Sequence, residues 1–571
     1  MRRSRLRRVL KRAGIKPKLL VVVVTAGLGL WLVVSGDSAE DSAEAVVGLV
    51  ATPAGPSSPG AVVIPTPPPN PVSPGTVDLN QDAPEATEAP DDEALCPGCD
   101  VMLITVCSLR RDYVGAYGMV DVETPAIDRV AAEGWRFDRA YAASNFTLAS
   151  LTAILTGRFG STTGVTGWDK GLVSDVPTLP EVLGYYGYAT GGFTTDAPSG
   201  FRPDYGLHRG FQHMEIIHPP IDNPDGRVAG TPAGTRGGRA AIPAAKWIAA
   251  ADPDQPLFTM LHTRTAHYPF VITDVGTDDD PTGVSRALFD VGRGQKTSGA
   301  MPGSAGGTAQ QGVVKTVDPT AAAVLAAGEP GVAVWRERYK EAVERTDDDV
   351  AAIWAALEES GRLDRTILVV VADHGESLND HDELLHGDAY FEGVVRVPLV
   401  IRVPGVSGGQ VSDALVSHVD LAPTLLTLVG ALPPADIDGF TAAPLLAGRD
   451  DDIRGVALIE GGVVRRSEGD LPRGAVIAPP WAWLHQDRGC GEAGEAGYRA
   501  PNAAASCLFN LADDPGQTVN NAESNPEVVA ELSERWATFR EARAGEARQL
   551  ALDPAFVEQL HENGYDFEPL P

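Results

Sequence analysis

The run Asp373-His374-Gly375-Glu376 places an imidazole between two carboxylates, directly behind the apolar stretch Thr366–Ala372. An acidic oxygen and a ring nitrogen leaving the end of a buried strand suit a divalent cation, and Gly375 permits the tight turn that brings both to one side. Alone, such an Asp could as readily cap a helix. Three further histidines change the balance. His262 and His267 follow the apolar stretch 257–261, in the run His-Thr-Arg-Thr-Ala-His-Tyr-Pro, and His386 precedes Gly387 a little beyond the Asp373 strand. Imidazole is the side chain whose charge changes near neutral pH, so a group of histidines at strand ends predicts a pocket that binds an anion and moves protons.

Holding these groups together requires strands whose ends meet. The stretches 101–106, 257–261, Thr366–Ala372 and 397–403 are short and almost continuously apolar, as in strands covered on both faces. A long helical pattern, 335–360, precedes the third. Strands alternating with helices predict an α/β domain over 96–445, built on a large mixed, mostly parallel sheet flanked by helices, with the ligand site beyond the carboxyl ends of the strands. The segments 219–245 and 274–331, rich in Gly, Pro, Asp and Ser, read as long surface insertions or lids. Past 445 the pattern changes. Strand-like pieces at 455–460, 474–485 and 507–511 and a helical run at 526–542 predict a smaller antiparallel sheet plus helix over 446–545, followed by a tail, 546–571. There is no internal repeat.

Residues 1–18 carry nine Lys and Arg and no acid, and the apolar run 19–34 follows. This is the layout of an export signal, placed within 1–36, and the run is a little short of the ~20 residues that cross a bilayer as a helix. Cleavage in the Ser/Ala-rich stretch near 38–45 would give a secreted or periplasmic protein, and retention would give a membrane anchor. Either way the remainder is expected to be exported. The segment 37–95 is rich in Pro and Ala, and its stretch 52–90 cannot bury enough apolar surface to offset its ordering entropy, so it reads as a tether. Folding should begin near Cys96.

The 571-residue chain has 46 Lys+Arg against 77 Asp+Glu, a net charge of −31. That balance excludes general nucleic-acid affinity, which needs clustered positive charge. Outside the cytoplasm the five cysteines should pair as Cys490 with Cys507 and Cys96 with Cys99, leaving Cys107 unpaired. A zinc site built on Cys96 and Cys99 would need two more ligands, and no second such pair or suitably spaced His pair accompanies them.

Taken together, the stretches 103–118, 124–158, 258–270, 338–405, 420–439 and 507–541 resemble, in order and spacing, the sulfatase family within the alkaline-phosphatase-like superfamily of metal-dependent ester hydrolases. Within them Thr147-Leu-Ala-Ser-Leu-Thr-Ala-Ile-Leu-Thr-Gly-Arg158 resembles the family's nucleophile helix, and Asp420-Leu-Ala-Pro-Thr424 its late core motif. The resemblance implies a large α/β catalytic domain, a smaller C-terminal antiparallel subdomain and one divalent metal ion. That ion is usually calcium and sometimes magnesium, manganese or zinc. Residue by residue, it places Thr147 as the nucleophile and a metal contact, Asp373 and His374 as metal ligands, and His267 against the ester. His386 takes the place where many relatives have a Lys that holds the substrate's anionic oxygens, and His262 belongs to the same group of strand-end histidines.

Two departures alter these expectations. Cys107 stands where relatives carry a metal-binding Asp. Calcium and magnesium prefer oxygen donors, so a thiol there predicts either a shift toward zinc or a site that holds no metal. Relatives that cleave sulfate most efficiently convert a Cys or Ser, in Cys/Ser-x-Pro/Ala-x-Arg, into an aldehyde whose hydrate attacks. Thr147 cannot give that aldehyde, and Leu151 occupies the place of the Arg. The expected activity is hydrolysis of sulfate or phosphate esters through a threonine nucleophile, on a small anionic ester or a sulfated or phosphorylated glycan or lipid. The alternatives are a catalytically silent relative that binds an anionic glycan, lipid or partner, and an envelope phospho-group transferase.

Overall fold

In the computed structural model of the chain, the described residues are 94–168, 170–195, 200–217, 240–268, 270, 284, 324–386, 390–449, 452–461, 473–486, 490 and 505–543, with short strands at 20–26, 29–35, 47–48, 62–64 and 550–551. Nine strands form the main sheet: β1 (Val62–Ile64), β2 (Asp100–Val106), β3 (Trp135–Tyr141), β4 (Ala189–Thr195), β5 (His213–Ile217), β6 (Leu257–Thr263), β7 (Thr366–Ala372), β8 (Leu399–Arg402) and β9 (Gln410–Ser417). Their spatial order is β9-β3-β8-β7-β2-β6-β4-β5-β1. The ribbon β7-β2-β6-β4-β5 is parallel throughout, β9 is parallel to β3, and β8 runs antiparallel to both of its neighbours. The expected mixed, mostly parallel sheet is present.

Every residue of β2, β6 and β7 is buried, as their continuous apolar sequences require of strands covered on both faces. Register then does something that composition does not reveal. Val106 of β2 lies opposite Ala372 of β7 and opposite Thr263 of β6, so three central strands end level. Whatever follows them in sequence is delivered to one place.

Helices α1 (Pro125–Glu133), α3 (Ala241–Ala250) and α4 (Glu329–Glu359) pack together on the sheet. Along α4, Trp335, Tyr339, Val343, Val350, Ile353 and Leu357 recur at helical spacing and are buried, which is the amphipathic pattern read from the sequence. Two boundaries differ from expectation. The helix α4 starts at Glu329, with Pro330 in its first turn, and α3 takes up 241–245, so the ends of both supposed insertions are helical. An Ala-, Ile- and Trp-bearing face that packs on α4 outweighs the Gly- and Pro-rich context that suggested loops. The rest of those insertions, apart from residues 240, 284 and 324–328, lies outside the described residues.

The C-terminal part forms a four-stranded antiparallel sheet of β10 (Ala457–Glu460), β11 (Gly474–Ala478), β12 (Trp481–Gln486) and β13 (Ala505–Asn510), with helix α5 (Pro526–Arg543) against it. The single strand expected over 474–485 is a hairpin turning at Pro479-Pro480. Trp536 of α5 is buried so closely over Gly474 that a side chain at 474 would collide with its indole ring.

The apolar run near the N terminus is extended in the structure. Leu20–Ala26 pairs antiparallel with Gly29–Ser35, and Val47–Gly48 adds a third strand, in a unit of its own, 1–60. Its valines are β-branched and favour the extended chain. Among the described residues, no helix is long and apolar enough to cross a membrane. The basic leader, the stretch 38–45 and most of the tether lie outside the described residues; Val62–Ile64, inside the tether, pairs with β5 at the sheet edge.

Candidate active site

Beyond the level strand ends, Cys107 after β2 and Asp373 and His374 after β7 meet Thr147, the first residue of helix α2 (Thr147–Thr156). Cys107, Asp373 and His374 are completely buried, and Thr147 is 5% exposed. The Thr147 Oγ1 lies 3.2 Å from His374 Nε2 and 3.4 Å from Cys107 Sγ. His374 Nδ1–H donates to its neighbour Gly375 O at 2.8 Å, which leaves Nε2 as the lone-pair nitrogen facing Thr147. The apolar sequence of α2 buries all ten of its residues, fixing the direction from which Thr147 enters. Glu460 of β10 braces the preceding chain: Ser144 Oγ donates to its main-chain oxygen, and its own amide donates to Ala143 O at 2.8 Å. The C-terminal sheet thereby supports the residues that lead into Thr147.

The turn after Cys107 is conformationally demanding. Ser108 adopts φ 62°, the left-handed region that a side chain disfavours, and two bonds hold it there. Its amide donates to Asp373 Oδ1 at 3.1 Å, and Tyr339 of α4 donates its hydroxyl to Ser108 O at 2.7 Å. Asp373 Oδ1 also accepts the His374 amide at 2.7 Å. Its Oδ2, buried in the cluster 3.6 Å from His374 Nε2, has no hydrogen-bond partner. Burial works to raise the Asp373 pKa, but His374, His262 and the Ser108 amide outweigh it, so the carboxylate is held below its usual range. Burial, reinforced by Asp373, pushes the Cys107 thiol well up. Burial also depresses His374 to about 3, against the pull of Asp373, so this imidazole is neutral.

The other histidines take different places. His386 packs over His374 with ring centroids 4.1 Å apart and meets His267 at 5.1 Å, so these three share one pocket. Two residues to which sequence spacing assigns no role complete it. Glu376, fully buried, accepts His386 Nδ1–H through Oε1 at 3.1 Å, while Arg264 places Nη2 3.1 Å from His267 Nδ1. Both stand in runs already marked by their histidines; what identifies them is the partner each meets in the fold. Burial and the Arg264 charge push the His267 pKa well down. His262 lies apart from this trio on β6, with Nδ1 2.9 Å from Thr105 Oγ1, and burial lowers it to about 4. It is not part of the Cys107, Asp373 and His374 ligand cluster.

The disulfides Cys96–Cys99 and Cys490–Cys507 are both formed, and Cys107 is the free, buried cysteine. Calcium takes six to eight oxygen donors and magnesium six, whereas this cluster offers one carboxylate, one hydroxyl, one imidazole and one thiol. The residues present do not fit a hard cation.

A family model described as Sulfatase matches residues 100–431. Arylsulfatase A of Bos taurus is 26% identical over 475 residues, which cover 76% of this chain and 85% of that protein. The N-acetylglucosamine-6-O-sulfatase of Bacteroides thetaiotaomicron is 27% identical over 387 residues, covering 58% of this chain and 68% of that one. The phosphonate monoester hydrolase of Agrobacterium radiobacter shares the fold with a TM-score of 0.56 at 19% identity, over 78% of this chain and 96% of that one. Because the matched span is more than half the chain and takes in Cys107, Thr147, His267, Asp373, His374 and His386, the chain belongs to the sulfatase family, whose members hydrolyse sulfate esters.

Proposed function

We propose that the chain cleaves a sulfate or phosphate ester by attack of Thr147 Oγ1 on sulfur or phosphorus. The observation that carries this reading is the placement of a hydroxyl at a buried helix N-terminus, 3.2 Å from an imidazole nitrogen with a free lone pair. Thr147 gives its proton to His374 Nε2 as the new O–P or O–S bond forms and the ester bond breaks. The first amides of α2 and the Arg264 guanidinium offset charge on the transferring group. His386 is suited to protonate the departing alkoxide as an imidazolium, whose Nδ1–H stays bonded to Glu376 while its Nε2 proton passes to the leaving oxygen. His267, neutral beside Arg264, contacts the ester. Water then hydrolyses the threonine ester and restores the hydroxyl. No step here is assigned to a metal, because a hard cation does not fit the donors.

The substrate class we propose is a sulfated or phosphorylated glycan or lipid outside the cytoplasm. Membership of a family with a glycan-directed N-acetylglucosamine-6-O-sulfatase supports the glycan, and the basic leader with its apolar run supports export. Phosphate esters should be preferred to sulfate esters, since Thr147 forms an ordinary ester and no aldehyde hydrate. Cys107, in place of a metal-binding Asp, favours one other reading: a silent protein that binds such anions. Hydrolysis of aryl phosphate and aryl sulfate by the wild type and Thr147→Ala decides between them. Turnover should fall by at least ~10³-fold, about 4 kcal/mol, in the variant. A variant within tenfold of the wild type removes Thr147 as nucleophile, and a wild type that turns over neither ester favours the silent protein.

A further inference from the structure

We infer that Cys107, Asp373 and His374 form a site for a thiophilic, zinc-class divalent ion, with Thr147 Oγ1 at the fourth corner. The inference concerns the same pocket as the proposed hydrolase but does not need turnover; with the ion bound, His374 Nε2 is a ligand and no longer the acceptor of the Thr147 proton. Two independent observations carry it. One is the donor set, a thiol, an imidazole nitrogen and a carboxylate oxygen, all within 4.8 Å of one another and fully buried. Sulfur and nitrogen donors of this kind suit zinc and exclude calcium and magnesium. The other is Asp373 Oδ2, a buried carboxylate oxygen with no hydrogen-bond partner, which lies within this set. Such an oxygen is costly unless a cation satisfies it.

The spacing agrees. Tetrahedral zinc with bonds of ~2.0 Å to nitrogen or oxygen and ~2.3 Å to sulfur sets neighbouring donors about 3.3–3.6 Å apart. The measured separations are 3.4 Å for Cys107 Sγ to Thr147 Oγ1, 3.2 Å for Thr147 Oγ1 to His374 Nε2 and 3.6 Å for Asp373 Oδ2 to His374 Nε2. The fixed tautomer of His374 helps, since its Nδ1–H is held by Gly375 O and Nε2 is the ligand atom. Binding forms a metal–sulfur bond and releases the thiol proton to solvent.

The other four cysteines are disulfide-bonded, so Cys107 is the one thiol in the chain able to give a thiolate–metal signal. The purified full chain is therefore titrated with Co²⁺, then dialysed against equal Zn²⁺, Ca²⁺ and Mg²⁺ and analysed for metal. The expected result is a near-ultraviolet thiolate-to-cobalt charge-transfer band that saturates at one equivalent, together with about one equivalent of retained zinc. Cys107→Ser should abolish the band. Cys107→Asp should abolish it too, weaken zinc binding by at least about tenfold and favour calcium or magnesium, because the donor is then a hard oxygen. Thr147→Ala should keep the band while losing hydrolysis, which separates failure of the nucleophile from failure of the metal site. A wild type that gives no cobalt band, or that retains calcium or magnesium in place of zinc, overturns the inference whether or not either Cys107 variant folds.

Discussion

Replacing Glu376 by Gln should loosen His386 while leaving it in place. The bond from His386 Nδ1 to Glu376 Oε1 is 3.1 Å long, and the carboxylate is fully buried. A hydrogen bond to a charged group contributes about 1.5–3 kcal/mol and a neutral one about 0.5–1.5, so Gln, which still accepts, should lose roughly 1–1.5 kcal/mol. That corresponds to about a 5- to 13-fold fall in kcat/KM, whereas Glu376→Ala, which removes the bond, should lose about 13- to 160-fold. Stability should respond differently. The main-chain oxygen of Glu376, which accepts Arg110 Nη1 at 3.1 Å, survives both substitutions, and Gln removes a buried charge whose Oε2 has no hydrogen-bond partner. The melting temperature of Glu376→Gln should therefore not fall. Steady-state hydrolysis of an aryl phosphate by the wild type, Glu376→Gln, His386→Ala and the double variant forms the test. If Glu376 acts through His386, adding Glu376→Gln to His386→Ala should cost little more. Equal factors in both backgrounds, or a Glu376→Gln rate within twofold of the wild type, would refute the reasoning.

Asp347 of α4 accepts the amides of Ala126 and Ile127 at 2.9 and 2.8 Å, yet burial outweighs them and raises its pKa to about 6. A raised carboxylate pKa means that the native state binds the proton more tightly than the unfolded chain. Stability therefore falls as pH rises from about 4 to 6, by up to ~3 kcal/mol. Denaturant unfolding of the wild type and Asp347→Asn at both ends of that range should show the variant gaining relative to the wild type as pH rises; a constant difference would exclude the effect. The Cys490–Cys507 bridge closes a segment with a sequence separation of 17, and replacing both residues with Ser should lower stability by about 3 kcal/mol. Non-reducing peptide maps should recover both bridges with Cys107 unpaired, and a Cys107 disulfide would contradict the site described here.

The strands that carry the site were legible because burial on both faces leaves an almost unbroken apolar run, as in Thr366–Ala372. Their alignment was not legible. That Val106, Ala372 and Thr263 end level is set by register, which depends on packing between segments more than a hundred residues apart. Similarly, Arg264 and Glu376 stood in full view beside marked histidines, but an ionisable residue in a loop is identified by its partner, and sequence spacing does not supply one.

Cys107 was visible as a break in a motif, and the structure explains why the fold tolerates it. The backbone at this position does not depend on the side chain. Its amide is bonded to Thr263 O at 2.9 Å, and the strained turn that follows is held by Asp373 Oδ1 and Tyr339. Asp373 thus divides its labour, with Oδ1 fixing the turn and Oδ2 left for a ligand. On the metal site proposed above, exchanging an oxygen donor for sulfur at 107 should therefore change which ion the pocket prefers without disturbing the scaffold that aims His374 and Thr147. The same separation makes Cys107→Asp informative, since a change in metal preference can be read there against an unaltered frame.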